Sequence, residues 1–147
     1  MKTLSFITLG FLFLLFSCKS GVSDAEKDQQ DGVKDKPKGE LFIIGGGKRP
    51  PSLVKDLIQL SGVDKTGYIA ILPMSSSEPD TSAWYARKQF VEQGIENVTA
   101  FNFQKDTIPP QPWIDSLKKA RMIYVSGGDQ RRFMAVVKGT KIEGAMH

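Results

Sequence analysis

The sequence predicts an α/β domain with a parallel sheet and helices on both faces, and three observations support that prediction. Short apolar runs, typical of strands buried on both faces, recur along residues 40–147. Segments in which apolar residues have helical spacing separate these runs. Glycine, proline or serine ends most of the runs, and these residues commonly mark turns. Strands that alternate with helices pair in parallel, with helices covering both faces of the sheet.

Four apolar runs are predicted as the strands of this sheet. They are rich in branched and aromatic residues, which are frequent in strands. The predicted strands cover residues 40–47, 67–73, 98–103 and 121–126. Ligands of such sheets bind beyond the carboxyl ends of the strands, so we expect the functional residues in the loops that follow them.

A helix is predicted after each strand. The predicted helices cover residues 50–62, 81–94, 113–120 and a segment that follows Asp129. Pro51 suits the first turn of the first helix, Gly62 suits its end, and Asp129 is predicted as the N-cap of the last helix. The residues that define the helical period of the second helix are Trp84, Lys88, Val91 and Ile95.

Residues 1–18 predict export. Lys2 precedes an apolar run that is shorter than the roughly 20 residues of a membrane-spanning helix, which favours a cleaved signal peptide. Residues 15–18, Leu-Phe-Ser-Cys, resemble the lipobox of bacterial lipoproteins. That resemblance implies a lipid on Cys18 and an anchor on the periplasmic or extracellular face of a bacterial cell membrane. An ordinary signal peptide is the alternative. Because Cys18 is the only cysteine, no intrachain disulfide forms.

Residues 19–39 predict a flexible polar tether. Val22 and Val33 are their only branched aliphatic residues, too few to offset the entropy of ordering the segment. The net charge of +4 is modest, and the lysines and arginines are scattered among acidic residues. The sequence therefore predicts no nucleic-acid partner.

The stretch YVSGGDQRRF, residues 124–133, predicts a site for an oxygen that carries negative charge. Gly127 and Gly128 lie between the fourth predicted strand and the next helix, where they let the backbone turn sharply and expose its amides. The amino terminus of that helix adds positive potential. A plain strand-to-helix turn is the alternative. Arg131 and Arg132 belong either to a solvated helix face or to a carboxylate site.

Nucleotide, metal and cofactor sites are not predicted. After Gly45 and Gly47, the position of the third glycine in a dinucleotide fingerprint is Pro50, and Lys48 is followed by Arg49 where a phosphate-binding loop has serine or threonine. His147 is the only histidine, at the last and usually mobile position.

Glycine and serine motifs follow the predicted strands in a specific order: GGG, P-x-x-S, GGDQ and then Gly-Thr. From Glu40 to His147 this order resembles the cyanophycinase-like serine peptidases, relatives of aspartyl dipeptidase whose fold is similar to that of class I glutamine amidotransferases. The resemblance implies an oxyanion hole that includes Gly127 and Gly128, a helix cap at Asp129, and a substrate pocket lined by Gln130. Further candidate pocket residues are Gly46, Gly47, Ser75 and Ser76.

The chain departs from this family at the catalytic serine. Family members carry the nucleophile in a G-T-S-A-G-A elbow on the next strand, and no G-x-S-x-G occurs in these 147 residues. We therefore expect a sheet truncated after about four strands and no catalytic residue in this chain. The expected whole is a lipid-anchored serine-type peptidase, a homodimer at full length, that hydrolyses aspartate-containing peptides or β-Asp-Arg isopeptides. A non-catalytic lipoprotein that binds a small acidic or peptide ligand is the alternative.

Overall fold

The computed structural model describes residues 39–147. The predicted signal peptide, Cys18 and the tether up to residue 38 lie outside the described residues. Residues 41–147 belong to one compact unit. No helix within the described part of the chain combines the length and apolarity that crossing a membrane requires.

Three short parallel strands form the sheet. In chain order they are β1, Ile69–Leu72, β2, Val98–Ala100, and β3, Met122–Val125. The sheet order is β2-β1-β3, so β1 is the central strand. Its sequence IAIL is buried throughout, and Ile69 pairs with Val98 on one side and with Met122 on the other. These strands confirm the second, third and fourth predicted strands, each shorter than predicted.

Helices cover both faces of this sheet, as the alternation of elements predicts. In chain order they are α1, Pro51–Ser61, α2, Pro79–Val91, α3, Gln111–Lys119, α4, Gln130–Val137, and α5, Lys141–Met146. Ile69 and Ile71 of β1 face a core completed by α1 and α2, which we call the α1/α2 face. Ala70 and Leu72 face the opposite core, which α3, α4 and α5 complete. The protein is therefore a mixed α/β fold in which helices flank a small parallel sheet.

Residues at the helix ends explain where α1 begins and ends and where α4 begins. Pro51 occupies the first position of α1, where its missing N–H costs no hydrogen bond. Gly62 ends α1 in the left-handed conformation, at φ 66°, and donates its N–H to the carbonyls of Ile58 and Gln59. Asp129 caps α4 by accepting a hydrogen bond from the N–H of Arg131. All three end residues are confirmed as predicted.

The predicted strand over residues 40–47 is wrong. The backbone there is irregular, Leu41 is 86% exposed and Ile43 is 82% exposed. Only Ile44 packs against the α1/α2 face. An apolar run indicates what a segment could bury, but a strand also needs a neighbouring backbone to pair with. No other strand among residues 39–147 pairs with this segment, so the described sheet has three strands instead of four.

The second predicted helix is confirmed as α2, but the residues that define its helical period do not mark its buried face. Helix α2 begins and ends a few residues earlier than predicted, and it buries Ala86 and Phe90. Trp84 is 57% exposed and Val91 is 39% exposed. Because apolar residues occur around the whole helix, spacing alone does not identify the buried face. The Trp84 ring lies beneath the Lys88 ammonium, 5.2 Å away, on the solvent side.

Candidate functional site

The candidate site lies at the carboxyl ends of β1 and β3. Leu72 pairs with Val125, so the loops that follow these two strands start side by side. The loop after β1 leads to the amino terminus of α2, and the loop after β3 leads to the amino terminus of α4. Two helix amino termini, each a region of positive potential, therefore lie at the same edge of the sheet.

The glycine turn, residues 127–128, is fixed at both of its ends. Ser126 N–H donates to the Leu72 carbonyl at 3.1 Å, which continues the ladder beyond β3, and Asp129 N–H donates to the Ser75 carbonyl at 2.9 Å. Between these two hydrogen bonds, the N–H groups of Gly127 and Gly128 have no acceptor among residues 39–147. The turn thus carries two adjacent donors on a backbone that its neighbours hold in place.

Gly128 cannot be replaced by another residue without a change in the turn. Its φ is +147°, a conformation that side chains other than hydrogen strongly disfavour. A Cβ at this position would lie 2.5 Å from the Ser75 carbonyl carbon and 3.0 Å from the Ser76 nitrogen. The structure therefore brings together three of the residues that the sequence singled out, Gly128, Ser75 and Ser76, through backbone contact.

The serines after β1 act mainly through their backbone and as turn residues. Ser75 is 3% exposed and presents its carbonyl to the glycine turn. Ser76 N–H donates to the Pro73 carbonyl, and its Oγ accepts a hydrogen bond from the N–H of Glu78, both at 3.0 Å. This arrangement leads the chain into α2 and supports the turn residue interpretation of Ser76.

Asp129 and Arg131 form a local ion pair. Arg131 donates from Nε to Asp129 Oδ1 at 3.2 Å and from a terminal nitrogen to Oδ2 at 3.1 Å. These side-chain hydrogen bonds, followed by the one from the Arg131 backbone N–H, lower the pKa of Asp129. Arg131 and Arg132 are both exposed, which agrees with a solvated helix face. The Arg131 guanidinium already has a carboxylate partner.

The other predicted site residues are on the surface. Gln130 is the first residue of α4, is exposed, and its side chain has no hydrogen-bond partner among residues 39–147. Gly46 and Gly47 are exposed, and no described atom lies within 4 Å of a Cβ built at either position. The structure therefore does not place Gly46 and Gly47 against the glycine turn.

Three polar residues near the α1/α2 face were not predicted from the sequence: Arg49, Gln89 and Ser126. Arg49 bonds to Gln89, and Ser126 is a buried serine that directly precedes the glycine turn. One sequence signal could have identified Ser126. It follows Tyr124 by two positions in an apolar strand, and a polar residue at an inward position of a strand is uncommon.

Gly127 and Gly128 are exposed on the surface. Two grooves of about 400 and 430 Å³ occur elsewhere in the described residues, one between β2 and α3 near Trp113 and one beside α1 near Leu60. Neither is lined by the glycine turn or by the serines after β1. Residues 39–147 hold no group of three histidine, cysteine or acidic side chains that could coordinate a metal ion.

No protein-family model matches the sequence. No curated protein matches it either. The site is therefore described by its geometry. Two adjacent backbone donors lie at the carboxyl edge of a parallel sheet, beside the amino terminus of a helix, and hydrogen bonds fix the turn at either end.

Proposed function

We propose that residues 40–147 are the amino-terminal part of a cyanophycinase-like serine-type peptidase that acts on aspartate-containing peptides or β-Asp-Arg isopeptides. One observation carries the proposal: the N–H groups of Gly127 and Gly128 have no acceptor among residues 39–147, and the turn that holds them is fixed against the loop after β1. The proposed fold of the whole is that of class I glutamine amidotransferases, to which this three-stranded sheet would contribute.

The glycine turn would stabilise the oxyanion of amide hydrolysis. When a nucleophile attacks a scissile carbonyl, the carbonyl oxygen becomes negative, and a donor aimed at that oxygen lowers the barrier by about 3 kcal/mol. Such donors are effective when they do not have to reorganise. Here the hydrogen bonds from Ser126 to Leu72 and from Asp129 to Ser75 would hold the turn in one conformation.

The described serines near the turn are poor candidates for the nucleophile. Ser75 is buried, the Ser76 hydroxyl accepts a hydrogen bond within its own turn, and neither has a histidine partner. His147 is exposed at the last position. The proposal therefore assigns the nucleophile to a G-T-S-A-G-A elbow outside residues 1–147, and we expect this chain alone to bind peptide without hydrolysing it.

The proposed location of the protein is outside the cytoplasm. Lipidation of Cys18 would anchor it to the membrane, and residues 19–39 would separate the domain from the membrane surface. Its proposed partners are the peptide substrate and the membrane. Anchored in this way, the domain would have access to extracellular or periplasmic peptides.

The test of the proposed function begins with the gene. Reading past codon 147, we expect a frame that encodes a G-T-S-A-G-A elbow, and we expect the product of that complete frame to release arginine from a β-Asp-Arg dipeptide. Replacement of the elbow serine by alanine should abolish release. A frame without the elbow, or a complete product that leaves the dipeptide intact, would refute the proposal.

The second candidate function is a membrane-anchored binding protein for a small acidic or peptide ligand. The absence of any G-x-S-x-G from the 147 residues favours it. This function would use the same glycine turn as the proposed peptidase, but the protein would bind its ligand without hydrolysing it. Peptide binding by the complete gene product without any hydrolysis would select this function over the first.

A further inference from the structure

The outer edge of β2 carries backbone groups that have no partner among residues 39–147. β2 lies at one side of the sheet, because the strand order is β2-β1-β3. The Asn97 carbonyl accepts from Ile69 N–H at 3.0 Å. Phe101 N–H donates to the Ile71 carbonyl at 2.9 Å, so residues 97 and 101 face β1. Alternate residues of a strand direct their backbone groups to opposite sides, and Ala100 therefore directs its N–H and carbonyl away from β1.

These outward groups form a short row of hydrogen-bond donors and acceptors. The Val98 carbonyl and both backbone groups of Ala100 make no hydrogen bond within the described part of the chain. Thr99 and Ala100 are exposed, so the row is open to solvent. An exposed edge of this kind is a template for another extended chain, whose own N–H and carbonyl groups complement it. We call residues 97–101 the β2 edge.

A groove of about 400 Å³ adjoins the β2 edge. Side chains of alternate β2 edge residues line one wall, and one side of α3 lines the other. The lining residues that bear on a ligand are Thr99, Phe101, Trp113 and Lys119. A strand added to the β2 edge would direct every second side chain towards this groove.

The groove has an apolar end and a basic end. Trp113 is 38% exposed and contacts Phe101 with ring centres 5.7 Å apart, which places both rings at one end. Lys119 lies six residues later in α3, about 9 Å along the helix axis. Tyr68, directly before β1, donates its hydroxyl to the Ser116 carbonyl, so the later part of α3 lies towards the start of the strands. Lys119 forms no ion pair within residues 39–147.

We propose that the β2 edge binds an extended peptide as an added antiparallel strand, with an apolar side chain at Trp113 and an acidic side chain near Lys119. The row of backbone groups matches a polypeptide backbone. The exposed tryptophan favours an apolar side chain, and the lysine without an ion pair favours a carboxylate.

The antiparallel direction fixes the order of the two side chains in the peptide. Antiparallel pairing is slightly more stable per residue than parallel pairing. An antiparallel peptide starts at the Phe101 end of the groove, so its apolar residue precedes its acidic residue. Two side chains on one face of a strand are two residues and about 7 Å apart, and the long lysine side chain spans the rest of the distance.

The β2 edge and the glycine turn share no residue. The β2 edge lies on the outer side of β2, whereas the glycine turn follows β3 on the other side of β1. Peptide binding at the β2 edge and the function proposed for the glycine turn can therefore fail independently.

The test measures amide hydrogen exchange by NMR in the full chain in detergent, with and without the peptide acetyl-Thr-Phe-Thr-Glu-Thr-amide. Its central threonine would face Ala100 and exchange two backbone hydrogen bonds with it. We expect exchange of the Ala100 amide to slow about tenfold when the peptide concentration is ten times its Kd. The Phe101 amide, which already donates to Ile71, is the internal control and should keep its rate.

Variants of the protein and of the peptide separate the two kinds of contact. Lys119→Gln should weaken the Kd about two- to fivefold, as expected for an exposed ion pair. Lys118→Gln is the matched control, because Lys118 does not line the groove, and should leave the Kd unchanged. Ala100→Pro removes the outward N–H at an edge position, where proline is tolerated, and should abolish binding. Methylation of the central threonine nitrogen should abolish binding with no change to the protein.

Four outcomes would overturn the proposal. The first two are an Ala100 amide whose exchange does not slow, and full affinity of the methylated peptide. The third is equal affinity for the reversed peptide acetyl-Thr-Glu-Thr-Phe-Thr-amide, which has the acidic residue first. The fourth is a dimer in sedimentation that protects the Ala100 amide without peptide, which would make a second copy of the chain the partner of the β2 edge.

Discussion

Gly128 is the residue on which the shape of the glycine turn depends. Its φ of +147° is accessible to glycine and strained for any other residue, and the Ser75 carbonyl lies where a Cβ would be. Gly127 differs in both respects: it has no positive φ, and no described atom lies within 4 Å of a Cβ built there. The backbone conformation therefore requires glycine at position 128 and not at position 127, so the two positions form a matched pair for substitution.

Alanine at the two positions should have different effects on stability. We expect Gly128→Ala to lower the free energy of unfolding by about 3 kcal/mol, because it adds backbone strain and a steric overlap with the Ser75 carbonyl. Gly127→Ala should change it by less than about 1 kcal/mol. Urea unfolding of the two variants measures both. Equal losses would show that the turn is not held against Ser75.

The Asp129 carboxylate should titrate below its ordinary pKa of 3.8. The hydrogen bonds from the Arg131 side chain and backbone favour the charged form in the folded protein, so this contribution to stability is present above the unfolded pKa. It is lost as the pH falls through the folded pKa. Carboxyl carbon NMR measures the titration directly. Arg131→Gln should raise the pKa towards 3.8.

Arg132→Gln is the control for this titration. Arg132 lowers the pKa of Asp129 only through charge at a distance, and this is the smallest of the causes. Its removal should shift the pKa less than removal of Arg131. A larger shift in Arg132→Gln would contradict the ion pair described for Asp129 and Arg131.

At the scale of elements, α2 shows which property of a helix the sequence determines. Its existence and approximate length were predictable from helical spacing, and Pro79 at its first position marks the start. Its buried face was not predictable, because Trp84 and Val91 are as apolar as Ala86 and Phe90. Which face of α2 is buried depends on the sheet against which the helix packs, and the periodicity of one segment carries no information about that sheet.

Two substitutions in α2 should separate the buried face from the exposed one. Phe90 is 0% exposed and contacts Tyr124 with ring centres 5.3 Å apart, so Phe90→Ala should lower the free energy of unfolding by about 3–5 kcal/mol. Trp84→Ala should lower it by less than about 1 kcal/mol, since Trp84 packs only on the solvent side. Urea unfolding decides the matter, and the reverse order of effects would contradict the described face of α2.

At the scale of the molecule, the alternation of strands and helices predicted the architecture correctly. Three of the four predicted strands occur, in parallel, with helices on both faces. Residues 40–47 differ because pairing is a long-range property: residues 41–44, LFII, are as apolar as β1, yet no described strand bonds to them. The length of an element, the spacing of its apolar residues and its end residues are local features of one segment. The strand that pairs with it lies elsewhere in the sequence.

The candidate site was predictable in part for the same reason. The glycine turn and its cap, Asp129, could be recognised from residues 126–130 because both features are local. The contact of Gly128 with the loop after β1 depends on the pairing of β1 with β3. The environment of Arg49 depends on α2 and β3 together, so no single segment of the sequence indicated it.

The central claim is that the amides of Gly127 and Gly128 bind the carbonyl oxygen of a peptide. The most direct measurement is the amide ¹H–¹⁵N NMR spectrum of the chain as a β-Asp-Arg dipeptide is added. We predict that both amides shift in a saturable way with one common Kd, while the amide of Gly62, which already donates within α1, stays in place. Saturating dipeptide that leaves the Gly127 and Gly128 amides unshifted would contradict the claim.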